Sequence, residues 1–377
     1  MDASTRAAST IIEAEEVVLP GGELKKGPVY VSIVQDTITD ITSTRPPTVK
    51  DVIKTHLLTP GFIDLHIHGL GGTNDVIDFW SNPGYTLSRL PMGGTTSCLA
   101  TIVLPKSSSQ PNTLQLFDKL KDVIGRTDTG GAVLEGINAE VIGIKPSLGH
   151  DKEASESEIL DALRLSKEPM HITHLFNVCS FHHRLPGLVN IGLASVYPNL
   201  PEYTDIIPPT FEVIGDLAHV TANHQYYFLT NNHLVQHPLT LSVLLEARGY
   251  ESVCFITDSI YHSNQPGETI SYNGRQFPPN FPLYVIVSSD CKTMLLKGTN
   301  TLAGSCVSML DIFHNLVNTL NVPIPQAVRM LAENPAKVAS LKGLGSIAID
   351  SRADMLLFDK DLILTATMVA GNTVWKK

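Results

Sequence analysis

Apolar and polar positions follow two rhythms along this chain. Near its start, 29–34 (VYVSIV) and 37–41 (TITDI) are β-rich runs separated by polar residues, and 354–359, 362–365 and 368–374 repeat the pattern near its end. The long middle alternates strand-like apolar runs with helix-like segments, which predicts repeated βα units around a parallel sheet. Seven such runs recur, all but the second ending in a polar residue: 62–66, 97–103, 133–140, 144–150, 170–174, 211–219 and 253–258. Helices are predicted over 156–166, 238–248, 304–320 and 324–331. A β/α barrel wants eight strands, with its chemistry at their C-terminal ends. The predicted organisation is a barrel over 58–343 and a small β domain from 1–57 and 344–377.

Composition narrows this picture. With 377 residues the chain suits one barrel plus a small domain, and 43% hydrophobic residues against 17% charged supply a large core. A net charge of −10 excludes a generic nucleic-acid binder but leaves room for a local basic pocket. Five scattered cysteines form no CxxC pair, so neither a disulfide scaffold nor a zinc knuckle is expected. The first residues lack the apolar core of a signal peptide, and no apolar run reaches the roughly 18 residues of a membrane span. These features predict a cytoplasmic protein with no membrane or nucleic-acid partner.

The candidate chemistry begins at Pro60-Gly61-Phe62-Ile63-Asp64-Leu65-His66-Ile67-His68-Gly69. Residues two apart on a strand face the same side, so His66 and His68 can reach one metal together. A lone HxH is weak; the full string after a strand-rich opening is more specific. Further along stand Gly93-Gly94-Thr95-Thr96, Gly136-Ile137-Asn138-Ala139-Glu140, Leu148-Gly149-His150 and His174-Leu175-Phe176-Asn177 with Arg184, Pro186 and Gly187. Asp216 and His219, Thr257-Asp258, Leu302-Ala303-Gly304-Ser305, Asn334-Pro335-Ala336, Gly345-Ser346-Ile347 and Ala353-Asp354 follow in order.

This succession resembles the amidohydrolase superfamily, and within it the N-acetylglucosamine-6-phosphate deacetylases, over nearly the whole chain. The resemblance implies an amidohydrolase-type (β/α) barrel with a small β-sandwich domain built from both termini. It implies hydrolysis of N-acetylglucosamine 6-phosphate to glucosamine 6-phosphate and acetate. Glu140, His150 and His174 would be metal ligands, with His66 and His68 allowing a second ion. One carboxylate and two imidazoles plus water suit zinc first, with iron or another divalent ion as alternatives. Asp258 would be general base and then acid, and His219 would hydrogen-bond the carbonyl oxygen. Asn177, Val178 and Arg184 would hold the phosphorylated amino sugar, Arg184 through charge-assisted bonds. A homodimer is also implied.

Bland readings compete. An isolated histidine at a strand end is usually structural, and that reading is kept for His171, His182 and His183. Glu135 competes with Glu140, which the preceding glycine and alternating apolar residues favour.

One interval departs from the family. Only 10 positions separate Glu140 from His150, whereas two barrel strand ends are normally about 30 residues apart. Val141-Ile142 stands where the family has Gly-Pro, and an entire βα unit is missing. The sequence therefore predicts a barrel short of one unit, and weakened or lost activity. An inactive relative acting as a binding protein and another amidohydrolase with a different amide or amine substrate are the rival readings.

Overall fold

A computed structural model describes residues 10–47, 52–71, 79, 82–102, 118, 120–139, 147–150, 153–217, 238–263, 265–271, 284–298 and 302–377. The chain opens with Thr10–Leu19 (β1), Glu23–Val34 (β2), Thr37–Thr42 (β3) and Val52–Pro60 (β4). Parallel strands follow: Phe62–Ile67 (β5), Thr95–Ile102 (β6), Val133–Ala139 (β7), Ser147–Leu148 (β8), His171–Ile172 (β9), Thr210–Ile214 (β10) and Val253–Ile256 (β11). An antiparallel meander of Thr269–Ser271 (β12), Tyr284–Val287 (β13), Thr293–Leu296 (β14) and Leu302–Ser305 (β15) comes next. Met355–Phe358 (β16), Leu364–Val369 (β17) and Asn372–Lys376 (β18) return to the N-terminal strands.

The two ends of the chain share one ladder in the order β18-β17-β16-β4-β1-β2-β3. The sandwich expected from the termini thus takes the form of a single seven-stranded ladder. Alternation builds its core: Ile12, Ala14, Val29, Val31, Ile33, Met355, Leu357 and Met368 pack into one buried cluster. The expected run over 368–374 is in fact two strands, because Ala370 and Gly371, with φ of 48° and 77°, make a turn between β17 and β18.

Each of the seven apolar runs in the middle of the chain contains one of the parallel strands β5 to β11. β5 is buried along its whole length, as a parallel strand covered on both faces should be. Among the described residues the strands form two ladders, β5-β6-β7 and β8-β9-β10-β11. β5 and β11 meet through the amide of Asp258, which donates to the carbonyl of His66 at 2.9 Å, and through a parallel bridge between Ile67 and Ser259. No ladder joins β7 to β8 among the described residues; 140–146 lie outside them.

Helices flank the strands. Pro83–Arg89 (α1) starts at Asn82, whose side chain caps Tyr85. Glu156–Arg164 (α2) starts with a capping box between Ser155 and Glu158, which satisfies two otherwise orphaned amides. Leu188–Leu193 (α3) and Pro238–Arg248 (α4) follow, with Arg248 donating to the carbonyls of Gly192 and Ala194. The helix expected from residue 304 begins instead at Met309–His314 (α5), after a Ser308–Asp311 capping box. Leu302–Ser305 is claimed by the meander, where it pairs with β14. The meander itself was not expected, since its strands are only three or four residues long. Ile324–Val328 (α6) runs through a π-helical turn into Asn334–Val338 (α7).

The terminal sheet is fastened beneath the barrel. Phe62, Phe313 and Phe358 pack there as tilted rings, with centroids 5.6 and 5.4 Å apart. Beside them the Arg352 guanidinium donates to Asp354, Glu135 and the Ser97 hydroxyl at 2.6–2.7 Å.

Candidate functional site

The site grows from β5. Asp64, His66 and His68 lie two apart and turn toward the barrel interior, while Ile63 and Leu65 pack outward against Ile214, Cys254 and Ile256. Gly61 stands just before the strand because any Cβ there would sit 2.1 Å from the Thr96 hydroxyl, which ties the first motif sterically to the second. Asp64 accepts the Thr257 hydroxyl at 2.6 Å, the Thr257 amide at 3.3 Å and the His66 amide at 3.2 Å. Burial pushes its carboxyl up to about 7 against those three bonds.

β11 supplies the opposing carboxylate. Thr257 and Asp258 are adjacent, so regular alternation would point them to opposite faces. Asp258 has a φ of 48°, and this left-handed kink brings both onto β5. Asp258 Oδ1 lies 3.2 Å from His68 Nε2 and 3.4 Å from His66 Nε2. The ligand atoms of His66, His68 and Asp258 all fall within 4.8 Å of one another. Burial opposes the charge on Asp258, but His66 and the His68 hydrogen bond hold its carboxyl well below the usual carboxylate range.

Two further imidazoles arrive from β8 and β9. His150 and His174 also adopt left-handed φ, 53° and 28°, two positions past the ends of their short strands. Their Nε2 atoms face each other at 2.7 Å. Gly149 is required before His150, because a Cβ there would meet the Thr173 methyl at 2.1 Å. His174 packs 5.4 Å from His66 between ring centroids, so the two groups of histidines adjoin. Burial, reinforced by His66, lowers His174 to about 4 and leaves it neutral at physiological pH. Its Nδ1 is buried without a hydrogen-bond partner among the described residues.

This donor set fits a divalent ion. Neutral imidazoles and an ionised carboxylate are the groups such an ion takes, and a buried orphaned nitrogen calls for a partner. Among the described residues His66, His68 and Asp258 are placed to hold one, with the His150–His174 pair adjoining them.

Sequence reasoning missed Glu212. It stands on β10 between Phe211 and Val213, and a charged residue inside a buried apolar run was the available signal. Its carboxylate accepts from His66 Nδ1 at 2.7 Å, the Thr173 hydroxyl at 2.8 Å and His171 Nε2 at 3.2 Å. Burial opposes its ionisation, and His66 and His171 overcome that to lower it well below its ordinary value. His171, kept as structural on sequence grounds, is thus one contact from the candidate ligands.

The other candidate residues divide. Asn177 and Val178 are half-buried in the turn after His174, where the Asn177 amide donates to the His174 carbonyl at 2.8 Å. Val178 has a φ of 54°, costly for a β-branched residue. Arg184 is exposed and makes no ion pair among the described residues. Asp216 is buried at the end of β10. Glu140 and His219 lie outside the described residues. Glu135 is engaged by Arg352 and Ser97 beneath the barrel.

Comparison with known proteins bears on the fold and the family resemblance. The Amidohydrolase family model matches residues 276–374. The N-acetylglucosamine-6-phosphate deacetylase of Bacillus subtilis (strain 168) is 24% identical over 97% of this chain and 97% of its own. The deacetylase of that name from Bos taurus is 25% identical over 85% of this chain and 84% of its own. Among solved structures, N-acetyl-D-glucosamine-6-phosphate deacetylase from Mycobacterium smegmatis superposes with a TM-score of 0.73 at 21% identity, covering 97% of this chain and 100% of that one. Dihydropyrimidinase from Brevibacillus agri gives 0.61 at 14% identity, covering 97% of this chain and 95% of that one. The chain therefore has the barrel-plus-β-sheet architecture of the amidohydrolases, and the resemblance read from its motifs is borne out. Amidohydrolases are generally dependent on divalent metal ions, and the described site has residues for one. No helix among the described residues is long and apolar enough to cross a membrane.

Proposed function

We propose that this chain, an amidohydrolase-type relative of the N-acetylglucosamine-6-phosphate deacetylases, hydrolyses N-acetylglucosamine 6-phosphate to glucosamine 6-phosphate and acetate. The observation that carries this is the meeting of His66, His68 and Asp258 with His150 and His174 at neighbouring strand ends. A bound divalent ion, zinc in this reading, supplies acidification of water and polarisation of the acetamide carbonyl. Glu140, outside the described residues, would complete the ligand set.

The chain's own groups do the rest. The ionised carboxylate of Asp258 accepts a proton from the attacking water and returns it to the amine nitrogen as the amide C–N bond breaks, so that acetate and a free amine leave. His219 donates a hydrogen bond to the carbonyl oxygen as charge develops there. Asn177 and Val178 line the turn beside His174 and orient the sugar. Arg184 is a cation with no competing carboxylate among the described residues, as a phosphate ligand should be. Arg184→Ala is accordingly expected to raise KM for the phosphorylated sugar by roughly tenfold or more, with kcat changed much less, since a lost charge-assisted bond costs about 1.5–3 kcal/mol. Steady-state kinetics check this; an unchanged KM removes Arg184 from the site.

The proposal extends to organisation and setting. The barrel comprises 58–343 and the β domain 1–57 with 344–377; the chain is a homodimer and resides in the cytoplasm. A second reading has one observation behind it. Ten positions separate Glu140 from His150, and β7 and β8 share no ladder among the described residues. A missing unit there loosens the barrel and lowers turnover, and in the extreme leaves a binding protein. An acetate-release assay on metal-loaded chain tests the function and separates the two readings.

A further inference from the structure

We propose that Glu212 is a positioning residue for the metal centre: it holds the His66 imidazole in its Nδ1–H tautomer and so presents Nε2 as the ligand atom. The inference rests on reading the site as a metal centre, and it adds a residue that neither the motifs nor the deacetylase chemistry requires.

Burying a carboxylate is costly, and an aliphatic side chain would pack β10 at lower cost. Yet Glu212 is 1% exposed, flanked by the fully buried Phe211 and Val213. Its contacts indicate what it does there. Oε1 accepts from His66 Nδ1 at 2.7 Å and from the Thr173 hydroxyl at 2.8 Å, while Oε2 accepts from His171 Nε2 at 3.2 Å. A neutral imidazole carries one N–H, so giving it to Glu212 at Nδ1 leaves the lone pair on Nε2. That nitrogen lies 3.4 Å from Asp258 Oδ1, on the side where the candidate ligands converge. A metal-bound histidine usually donates its other ring N–H to a carboxylate or carbonyl, which fixes both tautomer and ring orientation.

Glu212 also acts on a second strand end. Thr173 immediately precedes His174, so the oxygen that orients His66 from β5 also anchors the turn after β9 that carries His174. One buried carboxylate thereby sets the spacing of two candidate ligands. His171, on the other oxygen, keeps the carboxylate from rotating.

The test measures metal affinity rather than turnover. Apoprotein is titrated with zinc against a chromogenic chelator and with cobalt(II) by visible absorption. Glu212→Gln, His68→Ala and Asp258→Ala are compared with the unsubstituted chain, and circular dichroism follows the fold. Glu212→Gln preserves shape, and we expect its zinc affinity to fall about 10–100-fold with a native spectrum and an altered cobalt band. Affinity within twofold of the unsubstituted chain, while His68→Ala and Asp258→Ala are impaired, overturns the role of Glu212 and leaves the metal centre standing. If none of the three variants changes affinity, the metal-centre reading falls and takes the proposal with it. Should Glu212→Gln fail to fold, the unsubstituted zinc-loaded chain decides by 15N-histidine NMR, with the His66 signals identified by their loss in His66→Gln. A proton on Nδ1 supports the proposal, and a proton on Nε2 overturns it.

Discussion

Asp258→Asn is expected to lower acetate release from N-acetylglucosamine 6-phosphate by about three orders of magnitude, within the range for loss of a general acid–base group. The substitution is a clean one. Asparagine has nearly the same shape and is among the residues that tolerate left-handed φ, so the 48° kink at this position survives. The backbone amide still donates to the His66 carbonyl. What disappears is the charge. Oδ1 faces His66 and His68 at 3.4 and 3.2 Å, and these two histidines keep the acid ionised despite its burial. An amide cannot take the water's proton and pass it to the departing amine. The loss falls on kcat, while KM moves little because no sugar contact is removed. Metal content is measured alongside, since Asp258 also belongs to the ligand cluster. Turnover within tenfold of the unsubstituted chain would remove Asp258 from the mechanism.

The second large effect is on stability and lies at the other end of the barrel. Arg352→Met leaves two carboxylates facing one another in a poorly solvated place. The side chains of Glu135 and Asp354 are 11% and 5% exposed, and both depend on this guanidinium at 2.6–2.7 Å. Burial already raises the Asp354 carboxyl above its ordinary value with Arg352 present. Removing one member of a buried ion cluster costs about 3–5 kcal/mol, and the lower end applies here because Asp354 can escape by taking a proton. Because Glu135 sits on β7 and Arg352 just before β16, the weakened contact is the one between barrel and terminal sheet. Urea unfolding should show a loss of about 3 kcal/mol, and adding Glu135→Gln should recover part of it. A double variant no more stable than Arg352→Met would show that the two residues do not act as a unit.

Much of this fold was legible because period and position agreed. The seven apolar runs each hold a parallel strand, and the β-rich ends of the chain do meet in one sheet. The legible part of the site has the same origin: His66 lies on β5 and His68 just past its end, two apart, so their common side follows from strand geometry. What escaped was local or long-range. Ser308, not Gly304, starts α5, because a pairing with β14 that only the fold reveals takes Leu302–Ser305 first. The kinks at His150, His174 and Asp258 carry no residue signature, since none of them is glycine. Glu212 was hidden because its value depends on His66, 146 positions away, and on His171. Glu135, the competitor of Glu140 in the sequence, is engaged by Arg352 beneath the barrel, a pairing 217 positions apart that no local pattern announces.

The most direct test of the account is acetate release by the zinc-loaded full chain given N-acetylglucosamine 6-phosphate. The account predicts one acetate for each glucosamine 6-phosphate formed, at a turnover reduced by the short interval after Glu140. Chelation should stop the reaction and added zinc restore it. A folded, zinc-replete chain that binds the sugar phosphate and releases no acetate would contradict the enzymatic reading and leave a binding protein in its place.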